Sequence, residues 1–192
     1  MKGTKARLIP LGALLLSVLL SEPPSMLLMA AGAIGLHELG HTLAFFLITG
    51  ALPTLALDRF GFRLLPPRPL LPYEELFAAL GGPFFNLFLG ILFCKTGGDF
   101  FFSLGVTHFL FALFNLLPYE DSDGGRVFRL LFLRLLGRKR GNEASVLLSA
   151  FVLSFFYFLS LYVFYFTGEG LACVFFAIFS FPWHHLGHSG DF

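Results

Sequence analysis

The sequence predicts an all-α polytopic membrane protein with about six transmembrane helices and a small membrane-associated β-hairpin between the second and the third. Hydrophobic residues make up 56% of the 192 residues and charged residues 13%, against about 25% charged residues in a typical soluble domain. Apolar stretches of near-spanning length recur along the chain, and Lys and Arg cluster in alternate connections. The length suits one domain at 1–192, with a core at 25–136 and C-terminal helices at 144–183.

Six apolar stretches are separated by short polar breaks, and each is expected to cross the membrane. The first and the last are short against the roughly 20 residues that a spanning helix needs, so we expect them at the edge of the bundle. The first follows a basic start but precedes SEPPS rather than a small-residue cleavage site. It is therefore expected to be a span and not a removed leader. The stretches are roughly 8–21, 25–50, 74–94, 100–118, 144–166 and 170–183.

Basic residues predict the orientation of these spans. If the N-terminus is cytoplasmic, 12 of the 13 Lys and Arg residues fall on the cytoplasmic side and only Lys95 falls on the other. Short loops rich in Lys and Arg stay in the cytoplasm, so the sequence predicts a multi-pass protein of the cell membrane with both termini cytoplasmic. The 12 residues are Lys2, Lys5, Arg7, Arg59, Arg63, Arg68, Arg126, Arg129, Arg134, Arg138, Lys139 and Arg140.

Three segments depart from plain spans and loops. Residues 53–69 alternate weakly around the sequence DRFG, which predicts a short hairpin. Residues 124–136 have the pattern of an amphipathic helix with its arginines toward water, and 137–143 is expected to be a solvated basic turn. The GGP of residues 81–83 is expected to break or kink the third span and give room for substrate and water.

The second span contains three ionisable residues in five positions, His37, Glu38 and His41. A charge in mid-membrane costs at least about 2.5 kcal/mol, so this cluster needs a reason. Residues four apart lie on one face of a helix, which lets both imidazoles reach one ion. Glu38, about 100° around the axis, can touch a water on the metal without binding the metal itself. This HExxH pattern predicts a zinc site with Glu38 as the catalytic base; a pair of core histidines is the simpler alternative.

A catalytic zinc site needs a third protein ligand and an open position. The fourth span ends at the same membrane surface with FNLLPYEDSDGG, where the chain could turn back and place a carboxylate near the metal. Asp123 stands out because Gly124 and Gly125 follow it and permit tight backbone geometry. One aspartate ligand and Glu38 would balance the two charges of zinc, and a neutral cluster is the least costly to bury.

Three motifs, in this order, resemble the site-2 protease family of intramembrane metalloproteases. They are HELGH at 37–41, GGPFFN at 81–86 and NLLPYEDSDGG at 115–125. The resemblance covers about 25–136, and it implies one zinc ion per chain and a membrane-embedded or membrane-associated protein substrate. The six-span layout with short termini is most similar to the branch that includes the sporulation sigma-factor processing protease. Many relatives carry a PDZ or CBS domain, and none is expected here.

The resemblance also implies the third metal ligand. In the family it is the Asp of an Asn-x-x-Pro-(four residues)-Asp-Gly arrangement, which here gives Asp123. One departure is that a hydrophobic residue usually precedes this Asp, whereas this chain has Ser122, and Asp121 is left as a substitute ligand. The residues that match the arrangement are Asn115, Pro118, Asp123 and Gly124.

Further residues are implied in substrate handling. The resemblance points to Asn115 and Asn86 as hydrogen-bond donors to the transition state, although Asn also joins helices in membranes. An edge strand near 54–64 could hold an unwound substrate by strand addition, as the family is thought to do; a hairpin that only caps the bundle is the alternative. His108 faces either the catalytic cavity or a neighbouring helix. The tail histidines are either metal ligands or, more simply, solvated residues; they are His184, His185 and His188.

The sequence therefore predicts a zinc metalloendopeptidase that performs regulated intramembrane proteolysis. Its expected surroundings are the lipid bilayer, a membrane protein substrate and a regulatory membrane partner. A net charge of +1 gives no sign of a nucleic-acid partner. The alternatives are a non-enzymatic membrane protein that binds or transports metal, and an inactive relative that binds membrane spans without cutting. Neither of these needs Glu38 between the two histidines.

Overall fold

A computed structural model describes residues 23–58, 61–120 and 122–167. A two-stranded sheet and five helices follow one another along the chain. In order they are α1 (Pro24–Thr49), β1 (Thr54–Asp58), β2 (Gly61–Leu65), α2 (Pro72–Thr96), α3 (Asp99–Leu116), α4 (Asp123–Leu136) and α5 (Arg138–Thr167).

Four of the helices in the described ranges, α1, α2, α3 and α5, are long and apolar enough to cross a membrane. They correspond to the second, third, fourth and fifth predicted spans, so the prediction of an apolar helical bundle is confirmed for these four. The predicted spans at 8–21 and 170–183 lie outside the described residues. A total of six spans therefore stays a prediction.

The distribution of side chains across the bundle is that of a protein surrounded by lipid. Polar side chains lie at its centre: the relative exposure of Asn86 and His108 is 0% and that of His37 is 3%. Large apolar side chains cover the outside, and Leu28 and Phe151 are 74% and 70% exposed. Small residues such as Ala and Gly form much of the buried contact between helices. Such close approach of backbones is typical of helix packing in membranes.

The predicted hairpin is present. Strand β1 pairs antiparallel with β2, and Asp58 faces Gly61 in the register, as the central DRFG sequence predicts. The chain enters the hairpin from α1, which ends at Thr49. Gly50 follows in a left-handed conformation (φ 72°), and its N–H donates to the Phe46 carbonyl at 2.8 Å. Arg68, after the hairpin, donates to both carboxylate oxygens of Glu74 at 2.8 Å each and so fastens this connection to the first turn of α2.

The predicted break of the third span is corrected by the structure, whereas a kink at this point stays a prediction. Helix α2 runs without a break from Pro72 to Thr96, with Pro83 inside it. Gly81 and Gly82 serve close packing instead, because a Cβ on Gly81 would lie 2.8 Å from the Gly40 carbonyl oxygen of α1. A membrane helix tolerates an internal proline where neighbouring groups compensate for the missing N–H.

The predicted amphipathic helix is present as α4, and its arginines at 126, 129 and 134 are exposed. The structure corrects two predictions here: residues 137–143 do not form a solvated turn, and the C-terminal helices do not start at 144. Only Gly137, with φ 77°, separates α4 from α5, which already begins at Arg138. Charged residues are good helix formers in water, so the helix extends beyond its apolar part. Arg129 also donates from Nε to Asn142 Oδ1 at 3.3 Å.

Candidate metal centre

His37 and His41 lie one turn apart on α1 and point toward the same place. Both are buried, and their Nε2 atoms are 3.1 Å apart. The two rings meet edge to face, with centroids 4.7 Å apart and an angle of 83° between planes. The helical spacing of the HELGH motif thus places two imidazole nitrogens side by side, as the sequence predicts.

Asp123, the first residue of α4, is the third member of the cluster. Its Oδ2 lies 2.9 Å from His37 Nε2 and 3.1 Å from His41 Nε2. The residue is half-buried and begins α4, outside the four apolar helices. Burial alone would raise the pKa of the Asp123 carboxyl, but the hydrogen bonds with His37 and His41 outweigh burial and hold its pKa at about 2. The carboxyl group of Asp123 is therefore ionised in the folded protein at neutral pH.

The turn between α3 and α4 fixes the position of Asp123. Leu117, before Pro118, is extended and ends α3. A Cβ on Gly124 would overlap the Leu116 carbonyl oxygen, and a Cβ on Gly125 would overlap that of Tyr119. The two glycines thus let the start of α4 lie directly against the end of α3.

Ser122, the residue before Asp123, caps α4. Its Oγ accepts from the Gly125 N–H at 2.9 Å, and its hydroxyl lies within hydrogen-bond distance of the carbonyl oxygens of Leu117 and Tyr119. Ser at an N-cap satisfies one of the free N–H groups of the first turn. Sequence reasoning missed this role, although a Ser before Asp-Gly-Gly and an apolar run is an N-cap signal.

The three ligand atoms fit a zinc ion. They lie within 4.8 Å of one another, and the separations of 2.9–3.1 Å are close to the roughly 3.3 Å between ligands in a tetrahedral site with bonds near 2.0 Å. Two imidazole nitrogens and one carboxylate form a donor set that zinc prefers. Gly82 leaves the space, because a Cβ there would lie 2.5 Å from His41 Nε2 and 2.7 Å from His37 Nε2.

Both histidines are also held on the side away from the cluster. His41 Nδ1 donates to the Ala78 carbonyl of α2 at 2.8 Å, so a neutral His41 would bind a metal through Nε2. Asn86, also on α2, lies 3.3 Å from His37 Nδ1, and its Oδ1 accepts from His108 Nδ1 at 3.0 Å. The structure thus places Asn86 behind His37, and it places His108 in the contact between helices.

Glu38 lies beside the cluster but does not join it. The residue is exposed on α1, and within the described ranges its carboxylate accepts no hydrogen bond.

Among the other residues implied by the sequence, the structure describes Asn115, whose side chain bonds within its own helix. Asn115 is half-buried, and its Nδ2 donates to the Phe111 carbonyl of its own helix at 2.9 Å. Phe111 in turn packs edge to face against the ring of His37, with centroids 5.3 Å apart. Asp121, the substitute ligand, lies outside the described residues, and so do the three tail histidines at 184, 185 and 188.

Comparisons with known proteins bear on the fold of the chain. No family model matches the chain, and no curated protein matches it. Among solved structures, the Site-2 Protease from Methanocaldococcus jannaschii matches with a TM-score of 0.59 and 17% sequence identity. The match covers 97% of this chain and 88% of that chain. The resemblance indicated by the motifs is thereby confirmed in three dimensions: the chain has the fold of a site-2 protease.

Proposed function

We propose that the chain is an intramembrane zinc metalloendopeptidase of the site-2 protease family, which hydrolyses peptide bonds in or near transmembrane segments. The observation that carries the proposal is the convergence of His37, His41 and Asp123 inside a bundle of apolar helices. Glu38 beside them would supply a catalytic base, which a protein that only stores metal does not need. The fold shared with a solved site-2 protease supports the same reaction class.

His37, His41 and Asp123 would hold the zinc ion and leave a fourth position open. When bound there, zinc supplies a Lewis acid that polarises a carbonyl and acidifies water. Glu38 takes a proton from the attacking water and later delivers it to the leaving amine. The charges of Asp123 and Glu38 together balance those of zinc, so the site stays neutral in a region of low dielectric constant.

The substrate would be a membrane-embedded or membrane-associated protein. A helical substrate shields its peptide bonds by its own hydrogen bonds, so a segment must unwind before it can be cut. The β1–β2 hairpin has outer edges that could pair with such a segment. Asn115 would donate to the developing oxyanion after releasing the Phe111 carbonyl. A regulatory membrane partner belongs to the same proposal.

The Glu38→Gln variant tests this reaction. Purified protein in liposomes is assayed against a transmembrane peptide substrate, with zinc content measured on the same sample. We expect full zinc content and a fall in cleavage rate of about 10²–10⁴-fold, because the proton acceptor is lost. Glu75→Gln, which removes a carboxylate from the start of α2, is the matched control and should cleave at the wild-type rate. Cleavage by Glu38→Gln at the wild-type rate would exclude the mechanism.

The competing function is metal binding or transport without catalysis. It predicts zinc uptake into liposomes that needs His37 but survives Glu38→Gln, together with no cleavage of any membrane peptide by the wild type. Uptake and cleavage are measured on the same vesicles, so the two functions give opposite results.

A further inference from the structure

A row of three polar side chains crosses the buried centre of the bundle from α1 through α2 to α3. His37, Asn86 and His108 form it, with relative exposures of 3%, 0% and 0%. The Asn86 amide stands between the two imidazoles, 3.3 Å from His37 Nδ1 and 3.0 Å from His108 Nδ1. Only His37 is a metal ligand in the proposed function, and the hydrogen bonds that Asn86 and His108 make within the row have no task there.

Apolar side chains would fill the same space at lower cost. A buried polar group that loses its hydrogen-bond partner destabilises the fold, and in a bundle with an apolar exterior no bulk water replaces the lost bond. His108 already carries part of this cost, because its Nε2 is buried without a hydrogen-bond partner in the described residues. The three polar side chains therefore need a function other than packing to explain their presence.

The direction of the hydrogen bonds along the row depends on the proton of His37. In the structure, Asn86 Nδ2 donates to His37 Nδ1 and to the Ala33 carbonyl, and its Oδ1 accepts from His108 Nδ1. This direction suits a His37 that keeps its proton on Nε2 and donates it to Asp123 at 2.9 Å.

A His37 that binds metal through Nε2 has the opposite requirement. Its proton is then on Nδ1, which needs an acceptor. Asn86 provides one when its amide turns by half a revolution, since Oδ1 and Nδ2 then exchange places; Nδ2 gives up the Ala33 carbonyl and donates to His108 Nδ1 instead. His108 must now accept at Nδ1 instead of donating, and a neutral imidazole does so by holding its proton on the other nitrogen.

We propose that Asn86 and His108 form a hydrogen-bond relay whose direction reverses when His37 binds a metal, which makes His108 a positioning residue for the metal centre. The inference rests on the proposed zinc site and adds to it a residue that touches neither metal nor substrate. Among side chains that fit the space, His serves the relay because the same atom, Nδ1, donates in one state and accepts in the other.

The first test measures zinc affinity by competition with a chelator, on purified protein and without substrate. His108→Phe removes the reversible donor and acceptor but keeps a ring in the same space. We expect zinc binding about 10–100-fold weaker than in the wild type, the usual effect of losing an outer partner of a metal ligand. His108→Asn restores a group that donates or accepts at a similar distance and should recover most of the affinity.

A packing control separates this role from a structural one. Phe93 packs on the His108 ring, with centroids 5.4 Å apart, so Phe93→Leu disturbs the same contact and leaves the relay intact. It should lower thermal stability without changing zinc affinity. If His108→Phe binds zinc as tightly as the wild type, or if Phe93→Leu weakens zinc binding as much as His108→Phe does, the relay is rejected.

The second test follows the proton itself. Nitrogen-15 NMR of histidine-labelled protein reports which ring nitrogen of His108 carries the proton, with the His108→Asn spectrum giving the assignment. We expect a change from Nδ1–H to Nε2–H on addition of zinc. An unchanged Nδ1–H in zinc-loaded protein would overturn the relay while leaving the proposed protease intact. A wild type that binds no zinc would instead reject the proposed function.

Discussion

His41 shows how the site is held at the scale of single residues. Its Nδ1 donates to the Ala78 carbonyl at 2.8 Å. A change of tautomer or a rotation of the ring would therefore break a buried hydrogen bond. The facing nitrogen is thereby presented to Asp123 and His37 at 3.1 Å from each. Pre-orientation of this kind lowers the cost of assembling a metal site.

Gly82 limits the space next to the same two rings. A Cβ there would lie 2.5 Å from His41 Nε2 and 2.7 Å from His37 Nε2, so Gly82→Ala must push the rings or the helices apart. We expect zinc affinity to fall at least about tenfold, although Ala favours the helix more than Gly does. Zinc titration and circular dichroism measure the two effects separately.

Gly35→Ala is the matched control for that change. It lies on α1, where a Cβ would meet nothing within 4 Å, and it should bind zinc as the wild type does. Equal zinc affinity in Gly82→Ala and the wild type would show that the rings have more room than the structure gives them.

The two histidines could be predicted from their spacing alone, whereas Asp123, 86 positions from His37, was indicated by the two glycines that follow it and by the resemblance to the family motif. The spacing of His37 and His41 fixes their common face within one turn, and the glycines after Asp123 mark a tight turn. The place of Asn86 could not be predicted in this way. It depends on how α2 is rotated and shifted against α1, which brings residues 49 positions apart into contact, and no local pattern encodes that register.

At the scale of elements, α4 and the β-hairpin have separate tasks in the proposed reaction. The start of α4 delivers a metal ligand, and the hairpin offers strand edges. Asp58 and Gly61 face each other across a two-residue turn, which makes them a hydrogen-bonded pair. Along an antiparallel ladder, hydrogen-bonded and non-hydrogen-bonded pairs alternate. Leu55 and Leu64 are therefore a non-hydrogen-bonded pair, and their N–H groups point away from the hairpin.

Proline at these outward positions tests substrate binding by strand addition. Leu55→Pro removes a donor from the outer edge of β1, and Leu64→Pro does the same for β2, without removing a bond inside the hairpin. We expect one of the two variants to lower kcat/KM for a transmembrane peptide by about tenfold or more, with zinc content unchanged. If both variants cleave as the wild type does, the hairpin only caps the bundle.

Helix ends were predicted well where hydropathy alone defines them and poorly where it does not. The predicted 25–50 and 100–118 compare with Pro24–Thr49 and Asp99–Leu116, since the apolar run and the helix nearly coincide. Helix α5 begins six residues before the predicted 144, at Arg138. Its first turns are charged and polar, and a hydropathy pattern cannot separate such turns from a solvated loop.

At the scale of the whole molecule, the bundle is arranged around its polar centre and exposes its apolar side chains. The four apolar helices and the site-2 protease fold indicate a membrane protein. Composition predicted the apolar exterior, because a chain with 56% hydrophobic residues cannot hide that much apolar surface in its own core. The orientation in the membrane rests on the basic residues and is a proposal.

Thiol labelling tests that orientation. In a chain without its native cysteines, Pro67→Cys places a thiol between the hairpin and α2, and Asp99→Cys places one at the start of α3. With cytoplasmic termini, an impermeant reagent should label Asp99→Cys in intact cells and Pro67→Cys only after permeabilisation. The reverse pattern would invert the topology and move the site toward the outer surface.

The central claim is that one zinc ion is held by His37, His41 and Asp123, and metal analysis of purified wild type and Asp123→Ala tests it most directly. Asp99→Ala, which removes a carboxylate elsewhere, is the matched control. We expect one zinc per chain in the wild type and the control, and a large loss in Asp123→Ala, because two histidines alone leave the ion without its charged ligand. Stoichiometric zinc in Asp123→Ala, bound as tightly as in the wild type, would contradict the claim and direct attention to Asp121.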